Sequence, residues 1–187
     1  MMILLVVAIL LFGLLHLVPA MPAVKAKAVA QLGKAYGPAY GIASLILLIF
    51  AFWAFRHAEV TFLYDVPTWG RHANFALSLL GFVFLGIFLF RGSWRQALRF
   101  PMGLAVVLWA TGHLLANGDV RTTILFGGLA FFAVMHVVLA LRQQPAAAEV
   151  RKGHNLMSVL AGLALYGVAA QLHQVIAGVP LVQLLPP

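Results

Sequence analysis

Apolar residues run along this chain in six long stretches, and the polar residues gather in the breaks between them. The first stretch is Met1 to Pro19. After a break holding Pro22, Lys25, Lys27, Lys34 and Pro38, the second runs from Tyr40 to Phe55. The third covers Ala73 to Phe90, the fourth Pro101 to Ala116, the fifth Thr122 to Leu141 and the sixth Asn155 to Ala177. Crossing a bilayer core takes about 20 apolar helical residues, and the stretches are of that order. The pattern predicts an all-α integral membrane protein, a bundle of six transmembrane helices forming a single domain over residues 1–187.

Local signals sharpen the map. Pro101 stands at the start of the fourth span, where a missing N–H does no harm. Asn117-Gly118-Asp119 reads as a tight turn that makes spans four and five an antiparallel hairpin. Pro145-Ala146-Ala147-Ala148 reads as a short flexible loop.

Composition agrees with the pattern. Hydrophobic residues make up 64% and charged residues 9% of the 187, against roughly 25% charged in a soluble domain. Twelve Lys and Arg against four acids give a net charge of +8. In a water-soluble chain that balance would suggest a nucleic-acid partner, but here the cations gather in loops and none is expected. Lys25, Lys27, Lys34, Arg91, Arg95, Arg99, Arg142, Arg151 and Lys152 follow the odd spans, whereas only Arg56, Arg71 and Arg121 follow the even ones. Cytoplasmic loops carry the excess of Lys and Arg, so both termini are expected on the periplasmic side of a bacterial inner membrane. Met1-Met2-Ile3 supplies no basic stretch of the kind that opens a signal peptide, and the first span is expected to be retained. Cysteine is absent, which excludes disulfides, thiolate metal sites and cysteine nucleophiles.

Within this frame the histidines stand out. An ionisable side chain at membrane depth costs a few kcal/mol on insertion scales and marks function by default, and imidazole is the commonest protein ligand for haem iron and other transition metals. His16 and His113 lie inside apolar spans. Counting about 1.5 Å per residue sets His16 and His136 near the cytoplasmic side, and His113 and His173 in the outer half. His57 and His72 flank an outer loop and His154 a cytoplasmic one. His16 and His113 then differ by about 10 Å along the membrane normal, which a shared ligand would have to span. Each buried histidine has an alternative role as a hydrogen-bond partner of a neighbouring helix.

On span four Trp109, His113 and Asn117 recur at i, i+4 and i+8 and share one face. Gly112 beside them admits a flat group or another helix closely, and the face suits a macrocycle or an extended apolar ligand. Phe12 and His16 on span one, with Gly13 adjacent, and Gly162, Tyr166, Ala169 and His173 on span six form further stripes, small-residue packing faces of the kind that bring membrane helices together. A ligand is expected among spans one, four, five and six. All four carboxylates lie near or outside the membrane boundary, and neither a phosphate loop, a serine elbow nor a His-Glu-x-x-His helix occurs.

Arg99-Phe100-Pro101-Met102, followed by the run from Leu108 to Asp119, resembles the central signature of the NnrU family. Phe12 to Ala20 at the start, and Leu172-His173 with Gly178-Val179-Pro180-Leu181 at the end, are similar to its pattern, so the likeness covers essentially the whole chain. The family usually has His where this chain has Phe100, which removes one candidate ligand. NnrU proteins are bacterial membrane proteins associated with denitrification and with nitric oxide reductase. A related plant enzyme, 15-cis-zeta-carotene isomerase, holds haem b between two histidines, and that likeness implies His16 and His113 as ligands of haem b, with His136 in reserve and Trp109 and Asn117 beside them.

The chain is thus open to three functions. The first is a bis-histidine haem b membrane protein with isomerase-like or redox activity, working in or alongside nitric oxide and nitrite reduction. The second is a cofactor-free accessory protein for a respiratory membrane complex. The third is an isoprenylcysteine-type methyltransferase, suggested by the Arg-x-Pro-Met opening of span four and weakened by Phe100. The expected partners are the lipid bilayer and either an apolar small molecule or a respiratory complex.

Overall fold

The computed structural model describes residues 1–143 and 149–178, all of its regular elements being helical. Pro145 to Ala148, expected to be a loop, and Val179 to Leu181 lie outside the described residues. Helix α1 (Met2–Leu17) ends in a single 3-10 turn, Val18–Ala20. Helix α2 (Pro22–Leu32) opens on Pro22 and stops at Gly33, whose φ of 53° only glycine adopts without strain. After another 3-10 turn, α3 (Tyr36–His57) begins. The break between the first two spans, expected to be a loop, is therefore helical. Its Ala, Lys, Gln and Leu residues favour helix, and none of the α2 residues is buried.

Helix α4 (Gly70–Leu89) is followed by the short α5 (Ser93–Leu98) and by α6 (Pro101–Ala116), whose ends fall where the sequence set them. The last two elements are a broken helix and a continuous one. Helix α7 (Val120–Thr122) passes through a π-helical turn, Thr123–Gly127, into α8 (Gly128–Ala140), and α9 (His154–Ala177) completes the described fold. Five helical runs are long and apolar enough to cross a membrane: Met2–Ala20, Pro22–His57, Gly70–Leu89, Val120–Ala140 and His154–Ala177. The expected sixth, α6, is equally apolar but has only 16 residues.

The turn between α6 and α7 is fixed by Asp119, which accepts from Thr122 N at 2.9 Å and from the Thr122 hydroxyl at 2.7 Å. Such an N-cap is worth about 1 kcal/mol, and with α6 packed against α8 it makes the expected hairpin. Helix α4 is the hub, packing on α6 along one side and on α9 along another, while α1 packs on α3 and α8. Leu5, Ala8 and Ile9 of α1 meet Ala51, Ala54 and Phe55 of α3, Ala110 of α6, and Leu125, Phe126 and Leu129 in one buried core. The outer face is apolar too: Ile42, Ile46 and Ile49 are each 60% exposed, as suits helices whose solvent is lipid.

The loops gather at two ends. At one end Gln143 Nε2 donates to Ala20 O at 2.7 Å, and the Arg99 guanidinium donates to the carbonyls of Leu141 and Gln143. At the other end Leu63 N donates to Gly118 O at 2.8 Å, Tyr64 donates its hydroxyl to Asn117 O at 2.9 Å, and Arg56 donates to Val175 O. Phe62 and Asp119 form an isolated antiparallel bridge there. The odd-loop cations belong to the first end, and Arg56, Arg71 and Arg121 to the second.

Candidate ligand cavity

A cavity of about 710 Å³ lies between α3, α4, α6, the α7–π segment and α9 at the Asp119 end of the bundle. Close helix contacts build its floor. On α4, the backbone at Gly86 packs against the Ser158 carbonyl, and the Gly162 Cα faces Val83 Cα at a distance that leaves no room for a side chain. One turn higher the rings of Phe82 and Tyr166 meet edge to face at 5.8 Å between centroids. From there the lining rises through Ser78, Asn74 and Arg71 on α4 and through Ala169, His173 and Ala177 on α9. By helix rise, Arg71 lies roughly 16 Å from the level of Phe82. The mouth carries Arg71, Asn117, Asp119, Arg121 and Thr122.

His113 enters from the last turn of α6. Its Nδ1 lies 2.8 Å from Trp109 O, and a carbonyl can only accept, so in the neutral ring Nδ1 carries the proton and Nε2 keeps its lone pair. Phe126 stacks on the imidazole at 4.1 Å and 15° between planes, and Trp109 meets it edge-on at 5.0 Å. The π turn sets Leu125 and Phe126 into the core at that point, and such turns occur often at functional sites. His173, about one turn from the end of α9 as His113 is from the end of α6, lines the same cavity. Asn117 is on the mouth and Trp109 on the wall, as their shared face implied.

His16 is elsewhere. It lies near the Gln143 end of the bundle, its Nδ1–H donating to Phe12 O at 2.8 Å and its ring stacked on Phe12 at 4.0 Å, with Tyr40 at 5.7 Å. His136 donates its own Nδ1–H to His16 O at 2.8 Å. The expected inner pair thus exists, but it is a strut between α1 and α8, and neither ring lines the cavity. Span one contributes nothing to the lining, although it was expected among the ligand-bearing helices, and α3 and α4 take its share. The reason is packing: the Phe132 ring fills the space beside Gly13, and Ile9 fills that beside Gly128, so α1 is sealed against α8.

His57 donates to Trp53 O at 2.8 Å on an exposed turn, and His154 accepts from Arg91 N at 3.1 Å. Phe100 begins α6 at the end away from the cavity, its ring 5.0 Å below the Arg99 guanidinium. Among the described residues no group of three or more His, Cys, Asp or Glu side chains could hold a metal ion. Sequence reasoning passed over Asn74 and Ser78, joined by a hydrogen bond of 3.0 Å. A polar pair at i, i+4 in an apolar span was the signal available. It also read Tyr166, Ala169 and His173 as a packing stripe, whereas only Gly162 at its lower end packs in that way.

Fold and site together define a multi-span helical membrane protein with a cavity at one end and two histidines on the cavity wall. The chain matches the family model of the NnrU protein over residues 4–181, nearly its whole length, and it belongs to that family. No curated protein and no solved structure matched it.

Proposed function

We propose that this protein is a six-span protein of the bacterial inner membrane, with both termini on the periplasmic side, that binds haem b in the cavity and acts in or alongside nitric oxide and nitrite reduction. The observation that carries the reading is that two imidazoles, His113 on α6 and His173 on α9, line the same cavity. The residues fit the group. His113 keeps its Nε2 lone pair, Phe126 stacks on its ring while Trp109 stands edge-on to both, and 710 Å³ lies within the roughly 300–1,000 Å³ usual for small-molecule sites. When bound, haem iron would supply redox or isomerase-like chemistry. The chain's own part is to hold it, orient it and keep water from its lower face.

The resemblance names His16 as the partner of His113, but His16 lies outside the cavity and His173 lines it. His113 and His173 are therefore the residues that would hold the iron, and the His16–His136 hydrogen bond ties α1 to α8. Helix α6 counts as the sixth span because it carries the chain from the Arg99 end to the Asp119 end.

The test is the visible spectrum of protein purified from haem-replete cells, before and after dithionite. A Soret band is expected, lost in His113→Ala, lost or turned five-coordinate in His173→Ala, and unchanged in His16→Ala. If His16→Ala abolishes the band and His173→Ala spares it, the pair reverts to His16 and His113. A colourless protein would return the cofactor-free accessory role to first place.

A further inference from the structure

The cavity is polar at one end and apolar at the other. Phe52, Phe82, Leu125 and Tyr166 line its inner part, and Arg71 and Arg121 its mouth, where the lining carboxylate is Asp119. The mouth therefore carries a net positive charge. That charge stands at the end of the bundle holding only three of the twelve Lys and Arg residues, Arg56, Arg71 and Arg121. Retention of membrane orientation disfavours cations at that end, yet two of the three line the cavity, while the third, Arg56, donates to Val175 O.

Arg121 is held ready. Its Nη1 donates to Phe55 O and to Ala58 O, each at 3.3 Å, and its guanidinium lies 4.7 Å over the Phe55 ring. Its Nε lies 3.7 Å from an Asp119 oxygen, too long for a hydrogen bond, and this buried N–H has no hydrogen-bond partner among the described residues. That N–H is shut away from the cavity by its own burial, so what Arg121 presents to an occupant is the positive charge of a guanidinium lining the mouth. Arg71, on the first turn of α4, is exposed at the rim, its guanidinium 5.9 Å from the Phe75 ring.

We propose that Arg71 and Arg121 form a carboxylate-reading rim, so that the cavity selects a flat apolar body with carboxylates at one edge and fixes which edge faces the mouth. This rests on the proposed haem site, in which the carboxylates are the two propionates. Guanidinium suits the task because its fork of donors matches a carboxylate in two places.

The experiment uses the full-length protein in detergent, freed of pigment and titrated with iron protoporphyrin IX and, separately, with its dimethyl ester, in which both carboxylates are blocked. Wild type is expected to bind the diacid at least about tenfold more tightly than the diester, the worth of one charge-assisted hydrogen bond. That preference should shrink in Arg71→Gln and in Arg121→Gln and vanish in the double variant, with the diester affinity unchanged throughout. Arg71→Gln, at an exposed position, guards against a variant that merely unfolds, as far-ultraviolet circular dichroism would reveal for Arg121→Gln. Equal binding of both porphyrins, with a Soret band that still depends on His113, overturns the rim and leaves the haem reading standing. Binding of neither overturns both.

Discussion

His113 owes its orientation to the helix that carries it. In an α-helix the carbonyl four residues back already accepts one backbone N–H, and its second lone pair is open to a side chain in the last turn. His16, His57 and His113 all use it, through Phe12, Trp53 and Trp109. The tautomer is thus common to these three and, through the His16 carbonyl, to His136, and what separates His113 is the cavity beside it. That separation was beyond the reach of the sequence. The spacing of Trp109, His113 and Asn117 gave their common face, but whether a face meets a space or a neighbouring ring depends on partners distant along the chain, such as Phe132 beside Gly13. Glycine acts at this scale as well. A Cβ on Gly86 would run into the Ser158 carbonyl, and Ser158 is fully buried. Alanine gains about 1 kcal/mol in helix propensity over glycine, whereas overpacking costs about 1–3 kcal/mol, and rigid backbone on the far side favours the upper part of that range. Gly86→Ala should therefore melt at lower temperature than wild type in detergent. Gly37→Ala, where the same atom meets nothing within 4 Å, should not.

Among the elements, those that the sequence made readable are the ones whose ends carry local chemistry. Pro101 and the Asn117-Gly118-Asp119 turn bound α6 on both sides, and Asp119 caps α7. Helix α2 escaped because its lysines and prolines look like a loop when hydropathy is the guide, and the π turn because no composition marks it. That turn, Thr123–Gly127, holds more residues than an α-turn of the same rise and brings Phe126 onto His113. Deleting Gly127 should let the segment relax to a regular helix and turn Phe126 and α8 relative to each other. The expected result is unchanged helix content by far-ultraviolet circular dichroism with a shifted or missing Soret band. A band identical to wild type would mean that the stacking of Phe126 does not shape the site.

For the whole molecule the governing asymmetry is that of charge. Nine cations belong to one set of loops and three to the other, so reporters placed after Pro187 and within the loop at Gly153 should report opposite sides of the membrane, the first periplasmic. Agreement between the two would overturn the six-span orientation. The same asymmetry extends to the interior, because the cavity opens among the loops with few cations and ends at the rings of Phe82 and Tyr166, below which α4 and α9 touch backbone to backbone. An occupant of the cavity therefore rests on a floor of two rings, and the α4–α9 seam gives it no way on toward the Gln143 end.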